Sequence, residues 1–354
     1  MDASEKVILH LISVSLFGTK LDVTQLENVD WPKAFSLACR HGVAAFCFDA
    51  FDQLPKELRP ERSLLLQWMG VVNRVENDFE KKTSVLEEIV HHLEILDICV
   101  YLLKGTSVAN YYPHPNHRPS TDVDIYLGNR FQEGNEILKS LGAKETESYH
   151  RHVSFAFNGV SVENHCMLSD TKGRKDNIYL ENHLVEIAQS EMRGKKGIRY
   201  PSNRFNVFFI GWHNDSHFMF ENLTLRHLCD WAVMLRYGFQ GVDMDEFMDY
   251  KQRCSFGKLA DVLTAMSISW LHLQPDLIPQ PLVESANKVP GVLVDKVLSY
   301  MLTSDWMERD TDRPLKIKID LAKRMLRDKW KFREVYGMNV WRVLLSKMFS
   351  KVED

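Results

Sequence analysis

Asp122 and Asp124 are the residues of this chain best placed, by type and spacing, to do chemistry. They lie in the run Asp122-Val123-Asp124-Ile125-Tyr126-Leu127, whose alternation predicts a strand. Successive side chains on a strand point to opposite faces, so Asp122, Asp124 and Tyr126 share one face and Val123, Ile125 and Leu127 take the other. Two carboxylates one residue apart on a strand face can hold Mg²⁺, a hard cation that takes oxygen ligands and keeps waters or phosphate oxygens alongside them. Two such ions can clamp the attacking and leaving oxygens of an in-line phosphoryl displacement. The plain alternative is an edge strand with two solvated aspartates.

The residues upstream add the second half of a phosphate site. The apolar run Cys99-Val100-Tyr101-Leu102-Leu103 has the length and composition of a buried strand. Lys104-Gly105 breaks it, and Thr106 or Ser107 is predicted to cap a short helix that ends before Pro113. Backbone N–H groups at a helix start, with the helix dipole, make an anion site for a phosphate chain. Gly105 lets that backbone approach without a side chain in the way. Lys104 and the backbone of Gly105, Thr106 and Ser107 are therefore the candidates to hold a triphosphate. Arg118, in the following loop rich in Pro, His and Asn, is the candidate to neutralise charge that develops during transfer.

A third carboxylate comes from farther along. Asn158-Gly159 between two alternating runs, His152 to Phe157 and Val160 to His165, is a strong short-range hairpin signal. In the second arm Val160 and Val162 point one way, and Ser161, Glu163 and His165 the other. Glu163 thus lies on the polar face of a strand that could run beside the D-x-D strand. A solvent-facing glutamate on a hairpin is the alternative.

Gly105-Thr106 followed by Asp122-Val123-Asp124 resembles the glycine-plus-D-x-D signature of the DNA polymerase β-like nucleotidyltransferase superfamily. The fuller string LKG…YYP…RPSTDVDIYL is similar to one branch, the bacterial "uncharacterised nucleotidyltransferase" family. Thr106 stands where a serine or second glycine is more usual, and the PHPNH stretch lengthens the gap between turn and carboxylates. The resemblance implies a small mixed sheet, a nucleoside triphosphate as donor substrate, and two Mg²⁺ ions, with Mn²⁺ as the alternative. It also implies that Glu163, in Val162-Glu163-Asn164-His165, is the third catalytic and metal-binding carboxylate with Asp122 and Asp124. The stretches RHGV at 40–43 and LTLRHLCDWAVML at 223–235 look like the family's flanking helical segments.

The rest of the chain must position these residues. Its 354 residues, 45% hydrophobic and 26% charged, can bury a substantial core of ordinary globular composition. A net charge of -4 makes no global case for nucleic-acid binding. Six cysteines without a C-x-x-C pair fit free thiols in a reducing, cytoplasmic setting better than a disulfide framework. The apolar run from Val7 to Phe17 is too short to span a bilayer and reads as a core helix. Helical spacing is predicted for 31–40, 72–96, 131–141, 203–212 and 223–235. In the last of these, Arg226 and Asp230 have i,i+4 spacing and are expected to pair on the helix surface. His41-Gly42 reads as a helix C-cap.

Other polar clusters carry less. His114 with His117, His150 with His152, and His213 with His217 invite a zinc reading, but no H-E-x-x-H and no complementary cysteine set accompanies them. The basic, Gly-rich loop Arg193 to Arg199 is expected to be solvated rather than to cover phosphates. The stretch Lys316 to Lys351 is basic and aromatic; such a stretch can bind nucleic acid or a membrane surface, but an amphipathic packing helix with a solvated face is the favoured reading.

These readings combine into an α+β protein: a helical N-terminal region (1–97), a small mixed β-sheet nucleotidyltransferase core (98–170) and a helical C-terminal region (171–354). The expected function is metal-dependent transfer of a nucleoside monophosphate from a nucleoside triphosphate to a hydroxyl-type acceptor, releasing pyrophosphate. A small molecule, a protein and an RNA end are the alternative acceptors, and the sequence does not choose among them. The competing class is a non-catalytic nucleotide-binding or protein-interaction scaffold that keeps the fold.

Overall fold

The apolar run before Lys104 forms a short strand, β1 (Val100–Leu102), and the D-x-D run forms β2 (Val123–Tyr126) beside it, antiparallel. A computed structural model describes residues 1–26, 28–171, 175–191, 194, 197–303 and 314–349. These are mostly helical around one six-stranded mixed sheet, an α+β fold. The other strands are β3 (Lys144–Ser148), β4 (His152–Phe157), β5 (Val160–His165) and β6 (Ile198–Arg199), in the spatial order β3-β4-β5-β2-β1-β6. The β4–β5 hairpin turns at Asn158 and Gly159, both at positive φ (50° and 72°), as a tight two-residue hairpin turn requires. β5 then returns parallel to β2.

Strand parity divides the sheet into two chemically different faces. Val123, Ile125, Val160, Val162, Phe155 and Phe157 are buried on one face. They pack against Val85, Leu86, Ile89 and Leu93 of the Arg62–Ile95 helix and Leu138 of the Phe131–Ser140 helix. Asp124, Glu163, His165 and Tyr126 point the other way, toward the C-terminal helices. Tyr126 joins the larger core there, with Leu168, Leu180 and Leu184.

That larger core is shared by the two ends of the chain. The Ala3–Phe17 helix, opened by a capping box between Asp2 and Glu5, is buried on most sides. Its Val7, Ile8, Leu11 and Ile12 belong to the same core as Phe208, Trp231, Leu263 and Met301. The predicted core helix is therefore a core helix. The Arg62–Ile95 helix links both layers: its Trp68 lies in the helical core, where the indole N–H donates to Ala44 O at 2.7 Å. No described helix is long and apolar enough to cross a membrane.

Two strands were not legible. β3 is the sequence KETES, with no alternation of apolar residues. It is nonetheless an exposed edge strand, held by its ladder to β4. β6 ends the basic loop by pairing parallel to β1, so Ile198 and Arg199 are sheet residues rather than solvated loop. Arg193, Lys195 and Lys196 of that loop lie outside the described residues. In the basic, aromatic C-terminal stretch, Phe332, Tyr336 and Lys331 are buried while Trp341 is exposed. The Tyr336 hydroxyl donates to buried Asp215 at 2.7 Å.

Candidate active site

The turn after β1 depends on Gly105. Its φ of 56° with ψ of -113° is a conformation that residues bearing a Cβ avoid. An added Cβ would meet only ordinary contacts with Ser120 and Asp122, so backbone conformation and not space demands the glycine. The following helix is a single turn, Thr106–Ala109, whose N-cap is Gly105 itself with no side-chain cap. The expected cap by Thr106 or Ser107 is thus absent: a glycine held at this φ already starts the helix. Ser107 is buried with its Oγ unpartnered.

Arg118 holds this turn in place. Its Nε and Nη2 donate to the Oδ1 and Oδ2 of Asp230 at 2.7 and 2.8 Å, and its Nη1 donates to Gly105 O at 3.1 Å. The Tyr112 hydroxyl donates to the same Asp230 Oδ1 at 2.7 Å. This corrects the expected helix-surface pair: Asp230 is buried and bonds Arg118, while Arg226 donates to Pro119 O at 3.4 Å. The local i,i+4 rule fails because Asp230 faces the core, where a forked guanidinium from a distant loop reaches both its oxygens. On the other side of the loop, buried Lys82 donates to Ser120 O and Asp78, and His117 sits between Asp49 (2.7 Å) and Glu76 (3.0 Å). The PHPNH insertion is therefore a clasp onto the N-terminal helices. His117 is committed to carboxylates, not to a metal.

The three carboxylates meet. Asp124 lies opposite Glu163 in the β2–β5 ladder, and oxygens of Asp122, Asp124 and Glu163 all fall within 4.8 Å of one another. Asp124 is only 2% exposed, far more enclosed than a residue on an open strand face. Its Oδ1 is 3.1 Å from Lys104 Nζ and 2.8 Å from His165 Nε2, while its Oδ2 is buried without a hydrogen-bond partner. Burial pushes the Asp124 carboxyl up, but Lys104 and the His165 hydrogen bond outweigh it and hold it below the ordinary range. Glu163 is likewise raised by burial but brought down to about 2, chiefly by His165. Asp122 is pushed up by burial and by the charge of Asp124. An all-oxygen donor set with one buried, unsatisfied carboxylate oxygen suits a hard divalent cation.

The carboxylates form one wall of a cleft of about 580 Å³ between the sheet and the C-terminal helices. Lys104, Gly105 and Arg118 line it from the turn, and His213, His217, Arg226, His227 and Arg324 from the helical side. Lys104, expected to hold phosphate, is paired with Asp124, so the carboxylate and any phosphate share one ammonium. The structure also joins His227 to the predicted His213–His217 pair, with ring nitrogens within 4.8 Å. No spacing rule anticipates this, because His227 comes from the next helix, Leu225–Val233.

The zinc reading of these histidines does not survive their hydrogen bonds. The Thr224 N–H donates to His227 Nδ1 at 3.0 Å. A backbone amide can only donate, so Nδ1 is unprotonated and the neutral ring carries its proton on Nε2. A histidine ligand needs the reverse, its second nitrogen donating a proton away from the metal. A second mixed group, His152, Glu163 and His165, also lies within 4.8 Å, but the His165 Nε2 is already shared between Asp124 at 2.8 Å and Glu163 at 3.4 Å.

Residues 27–272 match the family model described as uncharacterised nucleotidyltransferase. The chain belongs to this family. The match runs from ahead of the Trp31–Arg40 helix through the RHGV turn, the whole sheet and the helices that close the cleft, so every residue of the site except Arg324 and Leu321 falls within it. Neither a curated protein nor a solved structure matches the chain. As a nucleotidyltransferase-family protein it is implied to be an enzyme acting on a nucleoside triphosphate. Within that family frame the RHGV turn acquires a contact. The His41 Nδ1 accepts from the Leu225 N–H at 3.3 Å, and Gly42, at φ 66°, abuts Pro119 and Arg226.

Proposed function

We propose that this nucleotidyltransferase is metal-dependent, and that Asp122, Asp124 and Glu163 are its metal-binding and catalytic carboxylates. The observation that carries the reading is the meeting of three carboxylates, one with a buried unsatisfied oxygen, beside a glycine turn of fixed φ. Asp122 and Asp124 would hold two Mg²⁺ ions, with Glu163 completing the set on the acceptor side. Bound there, Mg²⁺ would supply charge neutralisation for the phosphates and the departing pyrophosphate.

The chain's own groups do the rest. The Gly105, Thr106 and Ser107 backbone receives the triphosphate, with Lys104 as its nearest side-chain cation. Arg118 acts by bracing Gly105 O through its bond to Asp230 rather than by touching phosphate. The acceptor hydroxyl oxygen forms its bond to the α-phosphorus as the bond to pyrophosphate breaks, and its proton passes to a Glu163 carboxylate oxygen. His165 and His152 fix that carboxylate from two sides, at 3.4 and 3.6 Å.

The test is incubation of the full chain with each labelled nucleoside triphosphate, Mg²⁺ and a cell extract, followed by separation of labelled protein, RNA and small molecules. Label in one fraction, dependent on Mg²⁺, supports the reading. Tight nucleotide binding with no transfer from any triphosphate would favour a scaffold that keeps the fold.

A further inference from the structure

The cleft holds more arginines without a carboxylate partner than one triphosphate site explains, Arg151 from the turn before β4 and Arg226 and Arg324 from the helical side. Arg151, Arg226 and Arg324 all line the cleft, and none has a carboxylate partner among the described residues. Arg226 donates to Pro119 O, on the side of the Gly105 turn. Arg151 and Arg324 stand elsewhere. The Arg151 guanidinium lies over the Trp212 ring, 5.1 Å from its centroid, and the Arg324 Nη1 donates to Phe220 O at 3.5 Å. Trp212 and Phe220 bracket His213 and His217 on the Asn203–Phe220 helix. Two arginines held by neutral contacts at the ends of one histidine pair keep their charge available.

His227 supplies a directed donor at the same place. Its Nδ1 is fixed as an acceptor from Thr224, so Nε2 carries the proton, and that Nε2 is buried without a partner in a residue 1% exposed. A buried N–H with no acceptor costs free energy unless a ligand satisfies it. Its ring stands 4.8 Å from that of His217. Although Glu221 pairs with His217 at 2.8 Å on the same side, a ligand that accepts hydrogen bonds and carries negative charge complements the two arginines and the His227 N–H.

Building on the nucleotidyltransferase reading, we propose that Arg151, reaching from the turn before β4 over Trp212, forms with Arg324 and the His227 Nε2–H of the helical wall an oxyanion site for the acceptor, separate from the triphosphate site at Gly105. The acceptor class is then a small molecule that bears a phosphate or carboxylate in addition to its reacting hydroxyl. Its anionic group rests on these three donors, and its hydroxyl reaches across the cleft toward Glu163.

The test uses inorganic phosphate and acetate as separate probes on the full chain, with and without a saturating non-hydrolysable triphosphate analogue and Mg²⁺. Calorimetry reads affinity, and NMR of the imidazole nitrogens reads the His227 Nε2–H. Phosphate, acetate or both are expected to bind while the analogue is bound, and to shift the His227 signal. Arg151→Gln and Arg324→Gln are each expected to weaken that binding about tenfold while leaving analogue affinity unchanged. Full competition between analogue and both probes would assign the arginines to the triphosphate and overturn the proposal. So would binding of neither probe, or binding that both variants leave intact. If the analogue itself fails to bind, the nucleotidyltransferase reading fails, and the His227 signal with phosphate alone still decides whether the oxyanion site exists.

Discussion

Asp124 and Glu163 are direct partners in a parallel ladder, 39 residues apart in sequence and side by side on the polar face of the sheet. Because strand side chains alternate, a one-residue slip of β5 would turn Glu163 into the apolar layer that Val160 and Val162 now fill. The carboxylate cluster and the hydrophobic layer are thus set by the same register.

The double substitution Asp122→Asn with Asp124→Asn tests the metal assignment. It is expected to abolish Mg²⁺-dependent nucleotide binding in calorimetry. Since Asp124 pairs with enclosed Lys104, some stability should go as well, about 1–3 kcal/mol. Unchanged Mg²⁺–nucleotide affinity would remove both residues from the metal site.

The Arg118–Asp230 pair is expected to be structural. Arg118→Leu leaves buried Asp230 with Tyr112 as its hydrogen-bonding donor, and the cost in a denaturant melt should be about 3–5 kcal/mol. Adding Asp230→Leu should recover much of it, because no uncompensated charge is then left inside. A surface-like cost below about 1 kcal/mol for the single variant would contradict the buried pairing.

Gly105→Ala is expected to destabilise by about 1–3 kcal/mol, since alanine cannot adopt φ 56° with ψ -113° without strain. Nucleotide affinity should fall with it. A variant as stable as the parent would mean that the turn has another accessible conformation.

Much of this site is legible in the sequence because its signals are local. The D-x-D parity, the Asn158-Gly159 hairpin and the glycine break after β1 each depend on a few adjacent residues. What is not legible is long-range. Nothing near Asp230 announces Arg118 as its partner, and the nearer Arg226 obeys a helix rule that burial overrides. The polar string of β3 carries no period because an edge strand is held by its neighbour's backbone. His227 joins His213 and His217 only through the crossing of two helices.

His41 makes stability fall in acid. Burial lowers its imidazole from 6.5 to about 4, so the unfolded chain takes up the proton first. Its contribution is complete above pH 6.5 and is lost as pH falls from there to about 4, roughly 3 kcal/mol in all. Against a His41→Asn variant, which cannot titrate, the wild-type stability curve should be steeper across that window. Parallel curves would show that His41 is not held neutral by the fold.

Glu163→Gln tests the three-carboxylate site most directly. Glutamine keeps the shape and the β5 register but loses the charge proposed to serve the acceptor side of the site. With labelled triphosphate, Mg²⁺ and a cell extract, the wild-type chain should transfer label, and the variant should be slower by about a hundredfold or more, with its melting temperature and much of its nucleotide affinity retained. Equal transfer by Glu163→Gln and wild type would contradict the three-carboxylate site.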